Sequence, residues 1–335
     1  MRLPRRALIV GINTYEHAPL LAGCVADAEA ISNLLQRHQD NTPNYECVVL
    51  LDKMENGRPI TRSKLREVCQ NLFSSDFTGD IVFYFSGHGV LTSFGGALCT
   101  YDASKDDWGV PMQEIMQMAF KSQAKDILII LDCCHSGDIA NPSLLNTGNE
   151  NNPLAVIREN MTIIAASRDS QTSIEAGGHG LFTAAVLSAL EGGAADHMGW
   201  VTAPSIYAYV ERRFGSWDQR PVYKTNATGV TVVRECAPLI DRLKLRKLLD
   251  LFSSQDDQYR LDPEYEPEDE HGNFHEPVNQ EKVAIAQLLK EYRDAGLLKP
   301  SIPNEQLYWT ARRSHTVQLT PRGREYWWLV YKGKI

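Results

Sequence analysis

The chain has no uninterrupted run of eighteen apolar residues, no Cys-x-x-Cys pair and no surplus of positive charge. The first absence removes a membrane-spanning helix, which needs about twenty such residues. The second removes the paired-thiolate spacing of structural zinc modules. The third argues against a general nucleic-acid binder, whose phosphate contacts need a basic surface. Here 34 Lys+Arg stand against 42 Asp+Glu, a formal net charge of −8. Met1 to Arg6 is basic, but the apolar run after it stops at Gly11, which reads as a buried first strand and not as a secretory signal. Seven cysteines, an odd number without framework spacing, fit a reducing cytoplasm better than a disulfide scaffold. With 335 residues the chain can form one large domain and one small one.

What is present is a pair of matched motifs. One reads Ile81-Val82-Phe83-Tyr84-Phe85-Ser86-Gly87-His88-Gly89, the other Ile127-Leu128-Ile129-Ile130-Leu131-Asp132-Cys133-Cys134-His135-Ser136-Gly137. Each is an unbroken apolar run that stops at a reactive side chain among small residues. Such runs predict strands buried on both faces. In an open parallel sheet, chemistry collects beyond the carboxyl ends of the strands. One strand would then deliver an imidazole and the other a thiol to one crevice, the pairing used for nucleophilic catalysis on acyl groups.

The surrounding chain alternates strand-like and helix-like segments. Strands are predicted at Arg6–Ile12, Tyr45–Leu51, Ile81–Phe85, Ile127–Asp132, Met161–Ser167 and Gly229–Val233. Helices are predicted at Cys24–His38, Ser63–Phe73, Val110–Phe120, Leu181–Leu190 and Ala203–Phe214. This alternation implies an α/β fold, a mostly parallel sheet with helices on both faces, over residues 1–237. A polar stretch at about 138–158 has no periodicity and reads as a long functional loop. A second unit, 238–335, is expected to hold helices at Ile240–Phe252 and Gln280–Ala295, an acidic insert at 256–277, a strand or hairpin over Tyr308–Leu319, and a closing helix from Pro321.

Ser-Gly-His-Gly followed by Asp-Cys-Cys-His-Ser-Gly closely resembles the caspase-like cysteine peptidases, nearest to the metacaspases and bacterial orthocaspases with their YFSGHG and DSCHSG motifs. Ala7–Asn13, Gly23-Cys24-Val25-Ala26-Asp27-Ala28 and Ala165-Ala166-Ser167 resemble the family as well. The likeness covers roughly residues 5–235. It implies that Cys134 is the nucleophile, since the family has serine at the position of Cys133. It implies His88 as general base and acid, and an oxyanion hole from the backbone amides of Gly89 and Cys134. It also implies hydrolysis through a thioester, and that the 138–158 stretch corresponds to an intersubunit linker. Adjacent strand residues face opposite ways, so only one of Cys133 and Cys134 can aim at a given site.

By the same resemblance Asp27 and Asp132 line the primary pocket and select arginine or lysine before the cut bond, with Ser167 on its wall. From periodicity alone Asp27 reads as an exposed helix residue. The family's calcium-binding acidic segment departs here to Gly109-Val110-Pro111-Met112-Gln113-Glu114, and Asn141-Pro142 follows the cysteine loop. Asp102, Asp106 and Asp107 stand out of register, so no metal or other cofactor, calcium included, is expected. His88, Cys133, Cys134 and His135 are zinc-ligand types, but neighbouring cysteines on a strand diverge.

The closing segment resembles a winged-helix domain. It carries 15 Lys+Arg against 16 Asp+Glu, so a regulatory protein partner is favoured over DNA. The substrate is expected to be a protein or peptide, with no membrane involved. A role in defence or regulated cell death follows from the resemblance alone. A protease-dead scaffold and a winged-helix DNA-binding regulator controlled by the peptidase domain remain as rivals.

Overall fold

Apolar runs that do not alternate need partners above and below, and the central sheet supplies both. The computed structural model describes residues 4–52, 59–93, 95–105, 107–133, 157–166, 178–214, 220–268, 271–274 and 277–335. The chain divides into two units, Met1–Ala237 and Pro238–Ile335. In the first unit the order begins β1 (Arg5–Gly11), α1 (Cys24–Gln36), β2 (Glu46–Leu51), α2 (Arg62–Leu72) and β3 (Asp80–Ser86). It continues with β4 (Gly89–Thr92), β5 (Gly95–Cys99), β6 (Gly109–Pro111), α3 (Met112–Lys121) and β7 (Asp126–Asp132). It ends with β8 (Met161–Ala165), α4 (Leu181–Ser188), β9 (Trp200–Thr202), α5 (Ala203–Glu211), β10 (Val222–Asn226) and β11 (Val232–Glu235).

Six of these strands form one sheet in the order β10-β8-β7-β3-β1-β2. All neighbours are parallel except β10, which runs antiparallel to β8 at the edge. Alternate residues feed two cores. Ile81, Phe83 and Phe85 of β3, with Ile127, Ile129 and Leu131 of β7, pack with Leu65 and Cys69 of α2 and Ile115 and Ala119 of α3. Val82, Tyr84, Leu128 and Ile130 pack on the other face with Ile31 and Leu35 of α1, Phe182 and Val186 of α4, and Ile206 of α5. Period-two geometry therefore decides which face each strand residue serves.

Two smaller sheets flank this core: β4-β5-β6, antiparallel and directly after His88, and β11-β9. The sequence reading passed over β4 to β6, and the Val110–Phe120 helix starts at Met112 because Val110 belongs to β6. It also passed over β10 and set the last strand too early. The helix predicted to Leu190 leaves α-geometry after Ser188 for a π-turn at Ala189–Gly193.

The second unit runs α6 (Arg242–Arg246), α7 (Leu248–Leu251), β12 (Gln258–Arg260), α8 (Gln280–Asp294), β13 (Leu298–Pro300), α9 (Leu307–Arg312), β14 (Thr316–Leu319) and α10 (Pro321–Tyr331). The expected Ile240–Phe252 helix is broken at Lys247. The expected strand or hairpin over Tyr308–Leu319 is instead α9 followed by β14. The acidic segment contributes β12 to an antiparallel sheet ordered β12-β14-β13. Asn279 and Thr320 cap α8 and α10 by accepting from Lys282 and Gly323 amides. The Trp327 indole donates to the Phe252 carbonyl at 2.8 Å. Among the described residues no helix is long and apolar enough to cross a membrane.

Gly11 sets how closely α1 approaches the sheet. A Cβ there would stand 2.4 Å from the Cys24 carbonyl oxygen and 2.8 Å from Ala28 Cβ. Gly11→Ala is therefore expected to cost about 1–3 kcal/mol, the usual range for overpacking. A lower urea midpoint at unchanged m-value would register it; an unchanged midpoint would contradict it.

Candidate active site

Strand register brings the site together. Gly11, Ser86 and Asp132 lie side by side at the ends of β1, β3 and β7. Ser86 and Asp132 share the sheet face of Tyr84, toward α1 and α4. There Ser86 Oγ donates to Asp27 Oδ2 at 3.4 Å, and Thr183 Oγ1 donates to Asp132 Oδ2 at 2.6 Å. Tyr84 and Thr183 share a hydroxyl contact of 2.6 Å. Asp27 is 3% exposed and Asp132 6%.

The start of α4 lies over both acids. A Cβ built on Gly180 would stand 3.4 Å from Asp132 Oδ2 and 3.9 Å from Asp27 Oδ2. The Gly180 amide hydrogen-bonds Asp27, and the Thr183 amide hydrogen-bonds Asp132. A helix N-terminus offers unpaired N–H groups and a positive dipole end, so it suits anions. His179, one residue earlier, sets Nδ1 2.6 Å from Asp27 Oδ1.

Burial nonetheless dominates the electrostatics, since a desolvated carboxylate is disfavoured in its charged form. It pushes the Asp132 carboxyl up to about 7. Asp27 adds to the rise, and the Thr183 hydroxyl and amide oppose it. Asp27 is raised as well, by burial first, with His179 the main opposing partner. Burial drives the Cys24 thiol up to about 12, and both carboxylates push it the same way. Cys24 is thus an unreactive thiol in the wall of the acid pair.

His88 is held by other groups. Its backbone amide donates to the Tyr15 hydroxyl at 2.7 Å, and that hydroxyl donates to the Ile12 carbonyl at 3.2 Å. The two rings lie 4.7 Å apart, tilted by 50°. Nε2 is 2.8 Å from the Pro19 carbonyl oxygen. A carbonyl can only accept, so Nε2 is the donor in this contact. Burial drives the Tyr15 hydroxyl far above its ordinary value, which keeps it neutral.

Of the residues anticipated from sequence, Asp27 and Asp132 are brought together, while His88 and Gly89 sit at the junction of β3 and β4. Cys134, Ser167, Asp106 and residues 138–156 lie outside the described residues. Cys133 is fully buried on the α2–α3 side with Ile129 and Leu131. Sequence reasoning did not single out Cys24, Ser86, His179 or Thr183, nor the Pro19 carbonyl and Tyr15 hydroxyl. Ser86 stands inside a recognised motif and could have been found there. A backbone carbonyl leaves no trace in sequence. A His-x-x-x-His spacing, His271 and His275, was also passed over; His275 is outside the described residues. Among the described residues no three His, Cys, Asp or Glu side chains gather as they would to hold a metal.

A parallel sheet with this His-bearing strand end beside an Asp-Cys-Cys-His-Ser-Gly strand end defines the caspase-like class of cysteine peptidase. The chain belongs to that family: residues 4–233 match the caspase domain, Peptidase_C14. Metacaspase-3 of Trypanosoma cruzi (strain CL Brener) is 31% identical over 149 residues, 40% of this chain and 40% of that protein. Metacaspase-8 of Arabidopsis thaliana is 29% identical over 146 residues, 41% of this chain and 38% of that protein. The matches thus span about 40% of these relatives' own length. Among solved structures, protein GSU0716 of Geobacter sulfurreducens aligns with a TM-score of 0.46 at 20% identity, over 68% of this chain and 94% of that one.

The raised Asp132 carboxyl carries a stability signature. Its folded-state value of about 7 lies above the ordinary 3.8. The native state therefore favours the protonated form, and stability falls as pH rises from about 4 to about 7, by up to about 1.4 kcal/mol per pH unit. Above that window the loss is complete. Asp132→Asn removes the ionisation, so its melting temperature relative to the unsubstituted protein should be higher at pH 8 than at pH 5. A difference that does not change with pH would contradict the assignment.

Proposed function

We propose that the chain is a cysteine endopeptidase that cuts proteins after arginine or lysine, with Cys134 as nucleophile and His88 as base and acid. The observation that carries this reading is the acid pair. Asp27 and Asp132 are buried together beside the strand end that leads into Cys134, and among the described residues neither meets a lysine or arginine within 4.0 Å. Two buried carboxylates without a fixed cation suit a guanidinium, whose planar fork can bond both. An aspartyl side chain would meet like charge instead.

In this reading the Cys134 thiolate attacks the scissile carbonyl, and the oxyanion is met by the amides of Gly89 and Cys134. The C–N bond breaks as the His88 imidazolium gives its proton to the leaving amine. Water, deprotonated by His88, then hydrolyses the thioester. The bond from Nε2 to Pro19 favours this role, because it leaves Nδ1 free for proton transfer. Burial of Cys133 on the opposite face favours Cys134 as the attacking thiol. Ser167 is proposed as a further pocket wall.

Activity is proposed to be independent of calcium. Asp102 accepts from Thr100 and the Arg62 amide, Asp107 pairs with Arg62, and Glu114 is held in a two-point pair by Arg66. These carboxylates are engaged by donors already. The second unit is proposed to bind a regulatory protein partner and not DNA. Its 15 Lys+Arg stand against 16 Asp+Glu, and Lys244, Lys282 and Lys290 are each paired with acids of the same unit, so there is no basic excess for phosphates.

An arginyl peptide reporter tests the chemistry. Cys134→Ala should fall to background and His88→Ala should lose roughly 10²–10⁴-fold, the usual worth of a positioned acid–base group. Cys133→Ser should keep most of the rate, and EGTA should change nothing. Loss in Cys133→Ser with retention in Cys134→Ala would reverse the nucleophile. Salt-sensitive binding of duplex DNA by the full chain would overturn the partner class.

A further inference from the structure

The acid pair already has one side-chain partner at its outer edge, the His179 imidazole. His179 Nδ1 sits 2.6 Å from Asp27 Oδ1, a short contact for a nitrogen donor to a carboxylate. The imidazole is the outer member of the pair, with its side chain 27% exposed against 4% for Asp27. It is placed there by backbone, since Gly180 lies across both carboxylates and α4 begins immediately after. The remaining oxygens are served differently. Ser86 reaches Asp27 Oδ2 only at 3.4 Å, and Asp132 Oδ2 takes the Thr183 hydroxyl. The strongest bond to Asp27 is thus the one nearest to solvent. A side chain that is to take this Asp27 oxygen must replace the His179 contact.

We propose that His179 is an internal competitor for the substrate's cation, bound to Asp27 in the resting enzyme and displaced when a guanidinium enters. This rests on the reading of Asp27 and Asp132 as the cation pocket. His179 thereby has two effects. It offsets the cost of burying Asp27 while the pocket is empty, because an unpartnered buried charge is strongly disfavoured. It also raises the affinity threshold, because only a ligand that bonds the pair more strongly than one imidazole can take its place. A guanidinium does so by replacing the single imidazole contact with a two-point contact across both acids.

The test uses the full chain carrying Cys134→Ala, so that no turnover intervenes, and agmatine as the guanidinium ligand, measured by titration calorimetry. Adding His179→Ala should tighten agmatine by about tenfold, the scale of one charge-assisted hydrogen bond. His179→Gln keeps a neutral donor and should fall between the two; it also serves if the alanine variant folds poorly. In the active enzyme, KM for an arginyl peptide should fall in the same order. Agmatine affinity that is unchanged or weaker in both His179 variants overturns the competitor and leaves the arginine pocket standing. If agmatine binds no variant and arginyl peptides are not cut, the pocket reading itself is wrong and the competitor goes with it.

Discussion

Two carboxylates buried within reach of one side chain's width are the constraint on which the strand ends depend. Removing a carboxylate from water costs several kcal/mol unless donors replace the lost solvent. Here the donors are the amides at the start of α4, the hydroxyls of Thr183 and Ser86, and the His179 imidazole. Each supporting group has its own requirement. Gly180 lies over both acids, and Gly11 must lack a side chain so that α1 can bring Asp27 down to the sheet. Tyr84 must keep its hydroxyl on Thr183 in the middle of an apolar face. The compensation is incomplete, which is why the Asp132 carboxyl rises to about 7.

His88 is positioned by a separate set of contacts. Tyr15 and the Pro19 carbonyl belong to the loop between β1 and α1, and they hold the backbone and Nε2 of His88. The same loop leads into α1, which carries Asp27. One connection thus serves both the imidazole and the acid, and the β1–β3–β7 register sets Gly11, Ser86 and Asp132 side by side at the strand ends. Sites held on strands and their immediate ends are more precise than sites on free loops.

The parts legible in the sequence are those with strong apolar pattern. Strands β1, β3, β7 and β8 are mainly apolar, and helices α1 and α2 show their faces through Ile31, Leu35, Leu65 and Cys69. Segments that fell short have weak or mixed signals. Strand β10 reads Val-Tyr-Lys-Thr-Asn, half polar because it is an edge, and β4 to β6 are short and glycine-rich. Tyr308–Leu319 alternates enough to mimic a hairpin, yet its first half is a helix whose Thr310 hydroxyl meets Glu305. In the site, Asp27 was legible only by resemblance; helical periodicity placed it at the surface, whereas it is almost wholly buried. His179 lies more than 150 positions from Asp27, at no motif spacing, and only the fold reveals the pair.

Selectivity for a cation by a buried acid pair is the central claim, and a positional-scanning library that varies the residue before the cut bond tests it most directly. The account predicts cleavage confined to arginine and lysine, with arginine preferred. Asp27→Asn or Asp132→Asn should remove that preference while Cys134 still reacts with a small alkylating agent. Efficient cleavage after aspartate, or an arginine preference that survives both substitutions, would contradict it.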